Sequence, residues 1–250
     1  MPIHDEFGQR IKDYESRNQY YLQKRIPVIL RVDGKSFHSF TRGLQKPFDN
    51  IFTNSMIQTM ESMCTEIQNC IFAYTQSDEI TFVLKDYTNL NTSPWFEYRT
   101  DKLCSISASL ATWYFNKYFK ENAQRVIGHQ TNTDYQLTLE KCIDKLAIFD
   151  SRCFNVPKEE VTNVVYWRQL DAIRNSIQAC GQAEFTHKEL MYKTCKDIKE
   201  MLENIGKPWD NLPIYKQRGT CCCREGKEWI TDYSMPLLVK EGREYLETLI

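Results

Sequence analysis

Long apolar runs are missing from this chain of 250 residues. None approaches the roughly 18 consecutive apolar residues of a membrane-spanning helix, so no membrane partner is expected. The opening MPIHDEFGQRIKDYE lacks the apolar stretch of a secretory signal and is too polar and acidic for a transit peptide. The expectation is a soluble cytoplasmic protein, an organelle not being excluded. Internal repeats and low-complexity linkers are also missing, which favours one compact unit. An excess of charge of either sign is absent. At a net charge of -1, any affinity for nucleic acid must rest on local clusters of Lys and Arg. The ten cysteines lack C-x-x-C spacing. The triplet Cys221-Cys222-Cys223 has no histidine pair nearby, which argues against zinc. Cys64, Cys70, Cys104 and Cys142 fall in apolar periodic segments, so reduced core thiols are expected rather than disulfides.

A hydrophobic fraction of 42% is that of an ordinary globular core. The most informative stretch is Ile29 to Phe40, ILRVDGKSFHSF. An apolar, β-branched run ends on the carboxylate of Asp33. Behind it come Gly34 and a turn carrying Lys35, Ser36 and His38. An acid at a strand end with a flexible basic turn suits a metal and a phosphate, although Asp-Gly is also a common turn dipeptide.

In chain order, residues 5 to 23 carry Phe7, Ile11, Tyr14 and Tyr21 at near-helical spacing, predicting a helix packed along the main domain. Pro27 introduces a central strand from Val28 to Val32. Asn50 to Asn69 reads as a helix with a core stripe through Ile51, Met56, Met60, Met63 and Ile67. Cys70–Tyr74 and Ile80–Leu84 flank Gln76-Ser77-Asp78-Glu79, the pattern of a β-hairpin with acids at its tip. A helix is expected from about Phe96 to Phe119, then a short strand from Lys145 to Phe149 ending at Asp150. Helices are expected from Lys158 to Gln178 and from Thr186 to Ile205, with Gly206-Lys207-Pro208 as the break. Trp167 reads as a packing anchor, and the tail from Trp209 onward has no assignment.

Strand, helix, strand, strand, helix, strand is the split βαβ order, so the expected fold is α+β and ferredoxin-like, both helices lying on one face of an antiparallel sheet. The palm-like unit would occupy residues 1–155 and a helical C-terminal extension residues 156–250. The strand returning after the first helix would neighbour the first strand, placing Asp33 beside Asp78. Two carboxylates at adjacent strand ends suit two-metal phosphoryl transfer, with Mg2+ completing its shell from a backbone oxygen, phosphate and water. The same acids also fit ordinary turn positions, and topology leaves both readings open. Cation clusters that could meet a phosphate backbone are Lys24 with Arg25, Arg99 with Lys102, Arg168 with Arg174, and Lys216, Arg218, Arg224 and Lys227.

RVDGKSFHSF followed by Lys46-Pro47, YTQSDEITFV, FDSRCFNVP, YWRQLDAIRNSI and LPIYKQRG together resemble the tRNA-His guanylyltransferase family and its Thg1-like proteins. The resemblance runs from about residue 28 to residue 220. It implies a polymerase-like palm that adds nucleotides 3′-to-5′ at the 5′ end of a tRNA, using two Mg2+ ions, with ATP and GTP as substrates. By the same resemblance, Asp33, the Gly34 carbonyl and Asp78 bind metal and Glu79 supports them. Lys35, Ser36, Phe37, His38 and Ser77 hold the nucleoside triphosphate. Lys46 assists 5′-end activation. Phosphate and tRNA contacts fall on Arg31, Arg99, Lys102, Arg152, Arg174, Asn175, Lys216 and Arg218, and a homotetramer built as a dimer of dimers is implied.

The sequence departs from the eukaryotic members where they read HINNLYN after WRQ-x-D: Ile173 stands for the histidine and Ala179 for the last asparagine. That departure shifts the expectation from strict tRNA-His guanylylation toward template-directed repair of truncated tRNA ends. A palm-type nucleotide cyclase and a non-catalytic tRNA-binding module are the other readings.

Overall fold

The computed structural model describes residues 6–129 and 131–250. Helix α1 (Glu6–Ser16) is followed by strand β1 (Val28–Gly34), a short helix α2 (Phe37–Phe40) and helix α3 (Asn50–Glu66). Strands β2 (Cys70–Gln76) and β3 (Glu79–Leu84) form a hairpin. A 3-10 turn at Trp95–Tyr98 leads into α4 (Thr100–Ile127), then α5 (Thr133–Lys145), β4 (Phe149–Asn155) and α6 (Lys158–Glu184). Helices α7 (His187–Leu190), α8 (Cys195–Asn204) and α9 (Ile214–Arg218) precede strands β5 (Thr220–Glu225) and β6 (Glu228–Asp232), and α10 (Glu244–Glu247) lies near the end. Among these elements no helix is long and apolar enough to cross a membrane.

One six-stranded antiparallel sheet, in the order β4-β1-β3-β2-β5-β6, organises the α+β fold. The inner strands are near-continuous apolar runs because both faces are covered. Val28, Leu30, Val32, Ile80 and Phe82 pack under α3, α4 and α5. Ile29, Phe72, Tyr74 and Val83 pack under Val161 and Val165 of α6 and the C-terminal Leu238, Leu246 and Ile250. The helices after β1 and after the hairpin therefore share a face, as expected. Helix α3 starts cleanly because the Asp49 carboxylate accepts the Phe52 N–H at 3.0 Å.

Several expectations are corrected. Helix α1 buries no residue and stops at Ser16, so it is not packed along the domain; Asp5 lies outside the described residues. The neighbour of β1 within the hairpin is β3, not the strand that follows the helix directly. The predicted strand over 145–149 is the end of α5 and a linker. The real strand, β4, carries alternating polar residues because it is the sheet edge and one side faces solvent. The helix expected from Phe96 begins at Thr100, and the one expected over 186–205 is two helices, each started by its own threonine capping box. The C-terminal segment is not purely helical, since β5 and β6 extend the sheet beyond β2. Cys221 and Cys223 face α6 while Cys222 faces α3, which sets the three thiols on opposite sides of the sheet.

Candidate active site

Strand register fixes the arrangement of charge. Asp150, Asp33, Glu79 and Gln76 are direct partners across β4, β1, β3 and β2, and Arg152, Arg31, Thr81 and Tyr74 form the next row. Residues opposite one another in a ladder project to the same face. A row of three carboxylates therefore stands at the sheet end on the α6 side, with two arginines directly behind it. The hairpin turn brings in the fourth acid. It has only two residues, Ser77 and Asp78, with Ser77 in the left-handed region at φ 50, and Gln76 and Glu79 belong to the strands. The Asp78 carbonyl accepts the Gly34 N–H at 3.1 Å, which ties the hairpin tip to the end of β1.

Gly34 is needed for a close approach rather than for its dihedrals: a Cβ there would lie 2.2 Å from the Phe37 ring. That ring sits 4.9 Å from Phe149, 5.2 Å from Phe40 and 5.4 Å from Phe115, centroid to centroid. Aromatic contacts of this kind contribute roughly 0.5–1.5 kcal/mol each, and here they pin the turn behind Asp33.

Glu79 is buried, and Arg168 reaches it from α6 with Nε 2.6 Å from Oε1. A second arm of Arg168 donates to Asp171 at 3.0 Å, and Asn175 Nδ2 donates to the same Asp171 oxygen at 3.3 Å. Arg31 lies 3.9 Å from Glu79. Burial pushes the Glu79 carboxyl up, with Arg168 opposing it. Burial also raises Asp33, the Asp150 charge adding to it and Arg152 opposing at 3.6 Å. Asp78 is raised by burial and by Asp33, against the Ser77 hydroxyl that donates to it at 3.0 Å. The acids are thus crowded carboxylates that hold their protons more tightly than free ones. Among the described residues no three His, Cys, Asp or Glu side chains converge as a ready metal-ligand group.

A cleft of about 620 Å³ opens beside Gly34 and Asp78. Its walls carry Ser36, His38 and Lys46 from the turn region, Ser77 from the hairpin, Asn175 and Ala179 from α6, and Lys216 from α9. The Phe37 ring is buried in its floor. A small separate core of Ile177, Cys180, Ile198, Leu202 and Trp209, against which the lining residue Phe48 packs, adjoins the cleft. It is braced by the Trp209 indole donating to Ser176 at 2.9 Å and the Ser176 hydroxyl donating to the Lys216 carbonyl at 2.8 Å.

Of the residues singled out in the sequence, Asp33, Gly34, Ser36, Phe37, His38, Lys46, Ser77, Asp78, Glu79, Arg31, Arg152, Asn175 and Lys216 gather around this sheet end. Lys35 is exposed on the turn, and Arg174 is exposed and paired with Asp171. Arg218 is held by the Met235 carbonyl at 3.0 Å. Arg99 and Lys102 are not brought in: Arg99 is bonded to Asp101 at 2.8 Å at the start of α4. That helix starts beside Cys153, which pairs with Leu30, about 10 Å down β1 from Asp33 at ~3.3 Å per residue. Arg168, read in the sequence with Arg174 as a candidate phosphate-contacting cluster or a solvated charge, is instead buried against Glu79. The available signal was Arg168 followed three residues later by Asp171 on a helix. Trp167, expected as a packing anchor, is 55% exposed.

Residues 8–157 match the family described as Thg1, tRNAHis guanylyltransferase. A probable tRNA(His) guanylyltransferase of Dictyostelium discoideum is 30% identical over 224 residues, 84% of this chain and 79% of the relative. The fold superimposes on a bacterial tRNA(His) guanylyltransferase (Thg1)-like protein in complex with ATP, with TM-score 0.85, 36% identity and coverage of 97% of this chain and 98% of that one. Its counterpart in complex with GTP gives TM-score 0.80 at 33% identity, covering 98% and 99%. The chain belongs to the tRNAHis guanylyltransferase (Thg1) family and is a nucleotidyltransferase.

Proposed function

We propose that this enzyme adds nucleotides 3′-to-5′ to the 5′ end of truncated tRNA, directed by the opposite strand, after ATP or GTP has activated the 5′ phosphate. The reading treats β1–β4 with α3 and α4 as a ferredoxin-like polymerase palm. The observation that carries it is the meeting of Asp33 and Asp78 at an open sheet end beside the cleft that holds His38 and Lys46. The ATP and GTP complexes of the bacterial Thg1-like protein support a nucleoside triphosphate as ligand, and the proposal assigns it to that cleft.

The donor set fits magnesium. Asp33 and Asp78 are hard oxygen ligands raised by burial and by like charge, which a divalent cation relieves, and the Gly34 carbonyl completes the protein share. When bound, two Mg2+ ions supply Lewis-acid stabilisation of phosphoryl oxygens and ease deprotonation of the attacking hydroxyl. Glu79, buried and clamped by Arg168, supports the two aspartates rather than facing substrate. Ser36, His38 and Ser77, with Lys35 at the rim, orient the triphosphate. Lys46 offers its ammonium to the 5′ phosphate during activation. A 5′-monophosphate has no good leaving group, so activation must precede attack by the 3′-hydroxyl of the incoming nucleotide. Arg31 and Arg152 on the face of Asp33, Lys216 on the cleft wall and Arg174 exposed on α6 are the further cations offered to phosphate and tRNA. The exposed Trp113, Leu146 and Ile148 support assembly of several copies, such as the implied homotetramer.

The names of curated relatives favour a second reading, strict addition of G to tRNA-His. Against it, Ile173 packs against the small core of Ile177, Cys180 and Trp209, and Ala179 on the cleft wall offers no side-chain hydrogen bond to RNA. The test is incubation with Mg2+, ATP, all four nucleoside triphosphates and labelled tRNAs lacking their first nucleotide. Restoration of several different tRNAs is expected. Restriction to tRNA-His establishes the second reading. Asp33→Ala and Asp78→Ala should abolish addition while tRNA binding persists; extension by both variants overturns the proposal.

A further inference from the structure

Helix α4 packs against the edge strand β4 through small side chains. Cys104 and Ser107, a helical turn apart, share one face of α4, and Ser151 and Cys153, two residues apart, share one face of β4. The Ser107 hydroxyl donates to that of Ser151 at 2.8 Å. Alongside it, Cys104 Sγ lies 3.6 Å from Cys153 Sγ. The serine contact shows that nothing larger than two short side chains separates helix from strand here, which is the spacing a disulfide requires. Bonded sulfurs stand about 2.05 Å apart, so a gap of about 1.6 Å is left for side-chain rotation to close.

Other thiols also meet, but away from solvent. Cys64 bonds with Cys70 and Cys222 in the core, and Cys221 and Cys223 share the Tyr245 hydroxyl. All five are buried, whereas Cys104 and Cys153 are both partly exposed. Burial and the neighbouring Cys104 push the Cys153 thiol up. Cys104 is therefore the thiol that meets an oxidant first, and Cys153 the one that resolves the product, because the thiolate is the reactive form.

We propose that Cys104 and Cys153 are an oxidation site that a peroxide converts reversibly into a disulfide joining α4 to β4. The Cys104 thiolate attacks one peroxide oxygen, the O–O bond breaks, and hydroxide leaves with a proton as water, giving a sulfenic acid. Cys153 sulfur then attacks the Cys104 sulfur, forming the S–S bond; the sulfenic hydroxyl leaves and takes the Cys153 proton as a second water. Two thiols have lost two electrons and one peroxide has gained them. Excess dithiol reverses the bond by exchange. The staple closes a long loop and fastens an edge strand whose Arg152, adjacent to Cys153, lies 3.6 Å from Asp33. It acts on the strand that flanks the carboxylate row.

The experiment treats the reduced protein with hydrogen peroxide in slight excess, blocks the remaining thiols with N-ethylmaleimide, and maps the cysteines by mass spectrometry of proteolytic peptides. A peptide joining Cys104 to Cys153 is expected, with the other cysteines carrying maleimide. The bridged protein should melt about 4–16 °C higher than the reduced one, and dithiothreitol should return it to the starting value. Cys153→Ser should form no bridge and leave Cys104 as a sulfenic acid that dimedone traps. Cys104→Ser should form no bridge and give dimedone nothing at Cys153. Cys195→Ser, on α8, should behave as the wild type. Recovery of Cys104 and Cys153 with maleimide, whether other cysteines have reacted or none has, overturns the proposal. So does a bridge that joins two chains on a non-reducing gel, or a bridged protein that melts no higher than the reduced one. The wild-type map decides the matter even where a serine variant fails to fold. No step involves RNA, so the result is independent of the function proposed above.

Discussion

Replacing Arg168 with methionine removes the strongest partner of a carboxylate that has almost no access to water. The two side chains are 9% and 7% exposed and their bond is 2.6 Å long. With the arginine gone, Glu79 keeps only Arg31 at 3.9 Å and the Thr81 hydroxyl at 3.3 Å, and it still faces the like charge of Asp33. Breaking a buried pair from one side costs about 3–5 kcal/mol. For a chain of this size that corresponds to a melting temperature lower by about 6–20 °C. Glu79→Gln should cost less, about 1–3 kcal/mol, because Arg168 retains Asp171. Arg168→Met with Glu79→Gln leaves no unpaired charge on Glu79, so the double variant should be more stable than the sum predicts by about 2 kcal/mol.

The effect has a pH signature. Burial raises Glu79 above its ordinary value in the folded protein, so between that value and its folded pKa the folded state holds a proton the unfolded state has released. Stability from this group falls as pH rises through that window. Arg168 opposes the rise; removing it pushes Glu79 higher still and enlarges the loss. The gap between wild type and Arg168→Met should therefore be small in acid, where Glu79 is protonated in both, and widen toward neutral pH. Urea melts of the ligand-free proteins at about pH 5 and pH 8 decide it. A penalty that does not change with pH, or single costs that add within about 0.5 kcal/mol, would refute the coupling.

Asp33→Asn and Asp78→Asn should each raise the melting temperature at neutral pH in the absence of divalent cations, because crowded and desolvated carboxyls are relieved. Thermal melts in EDTA check this, and lower stability in both variants contradicts the crowding. Lys46→Ala should slow addition to a 5′-monophosphate end more than to a 5′-triphosphate end, which needs no activation; equal slowing by single-turnover assay denies the lysine that role. Gly219→Ala should destabilise by well over about 1 kcal/mol, since its φ is +86 and a Cβ would lie 2.6 Å from the Thr75 carbonyl. Denaturant unfolding measures it, and a neutral result would mean that the link between α9 and β5 can shift.

The central strand, the helix behind it and the acid-tipped hairpin were legible in the chain because their signals are local. Val28–Val32 and Ile80–Leu84 are apolar runs, and Ser77-Asp78 interrupts them. Asp33 was expected beside the Asp78 turn, but through the wrong neighbour, since β3 and not β2 lies beside β1; the motif strings were enough to indicate the family. The edge strand at Phe149–Asn155 was displaced by a few residues because only one of its faces is buried, which erases the apolar run by which inner strands are recognised. The C-terminal strands were missed outright. Cys221 and Thr220 pair with Tyr74 and Thr75, and a ladder between segments so far apart leaves no periodicity in either one.

The sequence by itself determined that Asp33 stands at a strand end before a glycine turn and Asp78 at a hairpin tip, because each position is set by the apolar pattern of its own strands. The tertiary structure alone decided their environment. Only the packing of α6 across the sheet turns Arg168 from a surface charge into the clamp on Glu79 and leaves Trp167 facing water beside Arg31. Burial and charge proximity are properties of surfaces brought together from distant segments, and neither is written in the local run of residues.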